Sequence, residues 1–352
     1  MDYQASLKSL KKVGHHQNVD IKFVPGKTED GWLSEDTRNE FKMMFNHDTS
    51  FMTNTNSKPS VQEMRDGMGS PQKNIVQNSI KIDSTVIAGM PVRVYRKADL
   101  ADQTLPSIIY VHGGAFYGGS MMAVDNIARA LAAKGSYQVF NLEYPLAPEH
   151  PFPAAILACY NALNYLHEHA RYFQIDPDKF YMAGDSAGGN LTVVTTYLDH
   201  VIFHTNWIKK DILYYPDVDE DMSDRKNFSD KLISEISFKE MKDDISKFIN
   251  FFNTDTMAIN YYCDNENRRN PLISPLLADH LELMPPTELI VGEFDPLRKQ
   301  GENYINKLRK LHVPVKYIRY NGMSHAFLDN IGYYPQAEDA IEEGIKFLNN
   351  KE

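Results

Sequence analysis

The chain has only two cysteines, Cys159 and Cys263, which lie far apart and outside any CxxC or metal-type spacing. No disulfide framework is expected, and free thiols fit a reducing compartment. No stretch of about 18 apolar residues occurs, so no helix is expected to span a membrane. Met1 to Val13 carries lysines but no apolar run ahead of a small-residue cleavage site. A soluble, cytoplasmic protein is the expectation. Basic charge is also scarce: 37 Lys and Arg stand against 47 Asp and Glu, a formal charge of -10, which argues against nucleic acid as a partner. The sequence shows no internal repeat, low-complexity tract or lipid-binding amphipathic surface, so solenoid and membrane-surface readings drop out.

What is present is enough apolar material, 42% of 352 residues, for one large α/β domain with insertions or two ordinary ones. Residues 1–74 are polar, with a weak helical signal from Thr37 to Phe45, and read as an accessory or cap segment. Two β-branched runs, Ser79 to Ile87 and Pro91 to Arg96, flank Ala88, Gly89 and Met90 and predict an antiparallel hairpin. Short apolar runs then alternate with helical patterns. The runs are Ser107 to Val111, Gln138 to Leu142, Lys179 to Ala183, Asp211 to Tyr215, Thr287 to Val291 and Val315 to Tyr320. The helical patterns are Ala123 to Lys134, Pro153 to Ala170, Ala187 to His200, Arg298 to Leu311 and Tyr334 to Asn349. This rhythm predicts a mainly parallel sheet covered on both faces. It breaks between Asp217 and Asn270 into a charged stretch with a capping-box pattern, Ser237 to Glu240, and an apolar face of Met241, Ile245, Phe248 and Phe252. The expected organisation is a core in two parts, 75–216 and 271–352, interrupted by a helical cap at 217–270.

Four motifs carry chemistry. Gly184-Asp-Ser186-Ala-Gly188 follows one apolar run and opens a helical pattern. A nucleophile on a sharp strand-to-helix turn needs small neighbours, and the helix N-terminus below it favours an oxyanion; an accidental Gly-Ser-Gly loop is the alternative. His112-Gly-Gly-Ala-Phe116 follows another strand. Its Gly113 and Gly114 amides, completed by Ala187, are expected to form an oxyanion hole, with His112 supporting the loop; a plain Gly-Gly turn is the alternative. Gly292-Glu-Phe-Asp295-Pro places Asp295 just past a strand end, where open α/β sheets assemble their sites, although Asp before Pro also caps helices. Glu293 is the fallback acid. His325, within Asn321-Gly-Met-Ser-His325-Ala-Phe, is the expected base. His312 ends a helix and fits its dipole, and the remaining histidines lack partners. The Pro-rich run Glu143 to Ala154 reads as a rigid loop with Glu149 as a brace.

Taken together, HGGAF, YPLAPEHPFPAA, GDSAGGNL, SPLLA, GEFDPLR and SHAF occur in the order found in the hormone-sensitive-lipase-like esterases, and from about Gln72 onward the chain resembles that family. The resemblance implies an α/β-hydrolase fold with a mostly parallel eight-stranded sheet, helices on both faces and a helical cap. It implies hydrolysis of short- to medium-chain carboxylic esters, without metal or organic cofactor, by Ser186, Asp295 and His325, and it matches Asp185 to the acidic residue of the family's GDSAGG. Ser, Asp and His also follow the chain order of that superfamily. Two departures are Ala115, where a third glycine is usual, and Pro145, where Arg is usual. The expected partner is a small-molecule ester, with a homodimer compatible with an open sheet. Two rival readings are an amidase or peptidase using the same triad and a ligand-binding protein of this fold; the presence of His325 favours an enzyme.

Overall fold

The computed structural model describes residues 2–46, 60–77, 79–221, 225–236, 242–254, 256–264 and 266–350. Ten strands form one sheet: β1 (Gly14–His16), β2 (Val19–Lys22), β3 (Ile80–Ile87), β4 (Met90–Lys97), β5 (Leu105–Val111), β6 (Gln138–Leu142), β7 (Ile175–Asp185), β8 (Ile208–Tyr214), β9 (Thr287–Gly292) and β10 (Val315–Tyr320). Their order is β1-β2-β10-β9-β8-β7-β5-β6-β4-β3. From β2 to β6 every neighbour is parallel, and an antiparallel pair closes each end. The helices are α1 (Tyr3–Ser9), α2 (Glu35–Asn46), α3 (Val61–Asp66), α4 (Asp125–Gly135), α5 (Ala154–Glu168), α6 (Ala170–Phe173), α7 (Ala187–Tyr197), α8 (Arg225–Glu235), α9 (Lys242–Thr254), α10 (Met257–Cys263), α11 (Arg298–Lys310) and α12 (Pro335–Asn349).

Strands β5 to β9 are largely buried because both faces are covered: β6 and β9 throughout, and β7 from Phe180 to Asp185. α4 and α12 pack together on one face of the sheet, and α5, α7 and α11 cover the other. The β3–β4 hairpin turns on Ala88 and Gly89, at φ 51° and 84°. Two positive-φ residues make the tight turn that matches strand twist.

The sheet exceeds the expected eight strands because residues 14–22, expected outside the core, form a hairpin that adds β2 to the β10 edge. Three- and four-residue strands are too short to show a period of two. Lys22 anchors this hairpin: fully buried, it reaches Asp339 at 3.0 Å, Glu343 at 2.9 Å and the Leu10 carbonyl at 2.9 Å. Tyr320 donates to the same Asp339 at 2.8 Å.

A third apolar cluster lies apart from the sheet. Leu33 and Phe41 pack with Leu232, Ile236, Ile245, Ile249 and Phe294, so α2 and the 225–254 helices share one small core. Ser237 to Met241, the expected capping box and the start of the apolar face, lie outside the described residues.

Replacing Lys22 by methionine removes the buried cation of this network, while Asp339 keeps Lys11 and Glu343 keeps Lys316 and Lys346. Urea unfolding is expected to show a loss of about 1–3 kcal/mol; no measurable loss means the network contributes little.

Candidate active site

β7 runs into α7 at Ser186, whose backbone sits at φ 53°, ψ −121°. That strained turn lifts the side chain above the sheet and is held by Ser186 N donating to Tyr214 O at 2.9 Å and Asp217 N donating to Ser186 O at 3.1 Å. The flanking glycines are obligatory. A Cβ on Gly184 would lie 2.4 Å from Gly188 O, and one on Gly188 would lie 2.1 Å from Val111 O.

The loops after β9 and β10 bring the other expected groups to this point. Ser186 Oγ lies 3.0 Å from His325 Nε2, and His325 Nδ1 lies 2.9 Å from Asp295 Oδ2. Asp295 is fully buried, and its other oxygen accepts Leu297 N at 2.8 Å, so it braces the start of the following helix as well as facing the imidazole. Tyr215 and Phe252 meet the imidazole edge-on, with centroids at 5.0 and 4.9 Å. Burial disfavours the imidazolium, but the surrounding carboxylates, Asp295 foremost with Asp329 and Asp217, together outweigh it, and the net effect raises the His325 pKa above its ordinary value. Glu293 does not reach the imidazole through any hydrogen bond; its carboxylate accepts Gly31 N at 2.7 Å and Gly322 N at 3.0 Å and ties the N-terminal segment to the β10 loop.

His112 is fully buried, stacked on Tyr144 at 4.3 Å, with Nδ1 2.7 Å from Gly113 O. Burial lowers its pKa to about 4, leaving it neutral. Asp185 points back beneath the glycine loop and accepts the Tyr110 hydroxyl at 2.8 Å, and burial raises its pKa to about 6. A Cβ on Gly113 would sit 2.3 Å from that carboxylate. The Gly113 backbone thus lies against that carboxylate. Among the described residues, the amides of Gly114 and Ala187 have no backbone acceptor. Glu149 pairs with Arg65 at 2.6 Å, as a brace. Among the described residues no cluster of His, Cys, Asp and Glu could hold a metal ion.

Residues 108–329 match the family of the α/β-hydrolase fold. The chain belongs to that family, in its hormone-sensitive-lipase-like group. This α/β-hydrolase is 32% identical to an arylesterase of Saccharolobus solfataricus over 68% of its own length and 73% of the relative's. It is 29% identical to the carboxylesterase NlhH of Mycobacterium tuberculosis over 79% and 83%. A hyperthermophilic esterase from the archaeon Pyrobaculum calidifontis superposes with TM-score 0.66 at 27% identity, covering 90% of this chain and 97% of that one. No helix of the described residues is long and apolar enough to cross a membrane.

Three neighbours of the site carried no motif. Phe252 stood on the expected cap face, but nothing placed its ring against His325. Asp329, half-buried with Oδ1 shielded from solvent and lacking a hydrogen-bond partner among the described residues, is felt electrostatically by His325; burial raises its pKa to about 8. Arg65, from the polar N-terminal segment, reaches the glycine loop.

Gly188→Ala tests the tightness of the Ser186 turn. The added methyl must displace the backbone of Val111 or His112, and labelling of Ser186 by a fluorophosphonate is expected to slow about 100-fold in a soluble variant. Labelling at the native rate would show that the turn tolerates bulk.

Proposed function

We propose that this α/β-hydrolase cleaves short- to medium-chain carboxylic esters through an acyl-enzyme on Ser186. The chain is a carboxylesterase-type enzyme, as its family and the esterase and carboxylesterase names of its relatives support. The observation that carries the finer reading is the continuous line from Ser186 Oγ through His325 to Asp295, at 3.0 and 2.9 Å.

In this reading His325 Nε2 takes the Ser186 proton as Oγ attacks the ester carbonyl, and Asp295 holds the imidazole in the tautomer that leaves Nε2 free. The amides of Gly114 and Ala187 donate to the developing oxyanion at the start of α7, where the helix dipole adds to them. His325 returns the proton to the leaving alcohol, and water, deprotonated by the same imidazole, releases the acid. Preference for shorter acyl chains is supported by the Phe252 ring, which stands 4.9 Å from the imidazole and narrows the space beside an acylated serine. Two free, buried cysteines support a reducing, cytoplasmic setting. The outer edge of β3 is where a homodimer would pair.

Ser186→Ala is expected to lower kcat on p-nitrophenyl acetate at least about 1000-fold and to abolish fluorophosphonate labelling. The native enzyme, assayed across a p-nitrophenyl ester series, is expected to favour acetate to hexanoate over laurate. Full activity in Ser186→Ala refutes the mechanism.

The base must be neutral to act, and its pKa is raised, so kcat/KM is expected to fall as pH drops through a value above the ordinary 6.5. Asp295→Asn removes the main raising charge and should shift that limb downward while lowering kcat by up to about 10⁴-fold. A limb that stays in place in Asp295→Asn separates Asp295 from the base.

A further inference from the structure

Gly114, Ala115 and Phe116 take φ values of 124°, 55° and 64° in succession. Three consecutive left-handed residues, two of them not glycine, hold only where the surroundings over-determine the backbone. Part of that restraint is internal to the loop: Gly118 N donates to Gly114 O at 2.8 Å, and Ala147 N donates to Phe116 O at 3.0 Å.

The rest comes from the N-terminal segment. Near the end of α3, Arg65 spreads its guanidinium between two loops. Nε donates to Tyr117 O at 2.6 Å, and Nη2 donates to Ala147 O at 2.9 Å. Nη1 and Nη2 also grip Glu149 as a fork, at 3.0 and 2.6 Å. One planar group thus fixes the carbonyl three residues beyond Gly114 and ties it to the Pro-rich loop. Below it, Met68 packs so closely on Gly118 that a Cβ there would lie 2.2 Å from Sδ.

We propose that Arg65 is a positioning residue for ester hydrolysis, setting the height of the Gly114 amide through the Tyr117 and Ala147 carbonyls. The proposal rests on the Ser186 acyl-transfer reading. Glu149 is 54% exposed, so the ion pair itself adds little to folding stability. What the guanidinium supplies is direction, since two backbone acceptors and a carboxylate match its planar fork and not an ammonium. Misplacing an oxyanion donor weakens transition-state binding while leaving ground-state binding almost unchanged.

The test compares native enzyme with Arg65→Ala, Arg65→Lys, Glu149→Gln and Ser186→Ala. Each is assayed for kcat and KM on p-nitrophenyl acetate and for affinity toward a trifluoromethyl ketone, which binds as a tetrahedral adduct. Arg65→Ala is expected to lose at least about tenfold in kcat, with KM within about twofold and ketone affinity falling by the same factor as kcat. Arg65→Lys should fall almost as far, because the charge remains but the fork is gone. Glu149→Gln should stay within about threefold of native, because the bonds to both carbonyls survive. The proposal is overturned if Arg65→Ala keeps native kcat and ketone affinity, or if its loss lies in KM. If Arg65→Ala does not fold, Arg65→Lys decides on the same criteria. An inert Ser186→Ala beside a native-like Arg65→Ala sinks the brace alone, whereas an active Ser186→Ala sinks the acyl-enzyme reading beneath it.

Discussion

At Ser186 a non-glycine residue is held at φ 53° between a strand and a helix, and most of the surrounding architecture follows from what that conformation demands. The turn costs of order 1–3 kcal/mol, so the neighbouring backbones must enclose it. They approach so closely that neither Gly184 nor Gly188 has room for a side chain. The same crowding presses α7 against the end of β5 and brings the glycine loop beside the serine. Positioning is thus a property of backbone packing, and the hydroxyl inherits its direction from atoms that take no part in any reaction.

The N-terminal segment belongs to this packing. It supplies β1 and β2 to the sheet, buries Lys22 against Asp339 and Glu343, sends the Gly31 amide to Glu293 and the Arg65 guanidinium to Tyr117. Glu293 and Arg65 restrain loops that follow β9 and β5, the strands whose ends carry Asp295 and the glycine pair. Polar composition, which set this segment apart when the sequence was read, reflects work done at loop ends and not distance from the core.

How much was legible follows from where the information lies along the chain. Ser186, His325 and Asp295 stood out because each sits at a strand end within a few residues of small or turn-forming neighbours, and the structure brings the three together. Strands β6 and β10 were bounded correctly because β-branched and aromatic residues mark each run, Val139 and Phe140 in one and Val315, Tyr317, Ile318 and Tyr320 in the other. The edge hairpin was missed because β1 and β2 offer three and four residues. The packing of Gly113 against the Asp185 carboxylate links two parallel strands, and no local pattern encodes that meeting. Arg65 and Tyr117 lie 52 residues apart, and Arg65 and Glu149 lie 84 apart, so only the folded chain discloses the clamp.

Several acids surround His325, yet they do not act on it alike, and desolvation explains the difference. Asp295 is aligned with Nδ1 and has a second oxygen stabilised by Leu297 N, so its charge is solvated by fixed dipoles. Asp329 is half-buried, but its shielded oxygen has no such donor among the described residues, and burial pushes its pKa to about 8. Its charged form is therefore disfavoured. Glu40, facing Tyr334 at 3.2 Å and Ser324 at 3.5 Å, is also raised by burial. A cluster that looks strongly anionic by composition thus presents one well-supported carboxylate to the imidazole. Hydrogen bonding to the charged form, more than proximity, selects which acid orients the base.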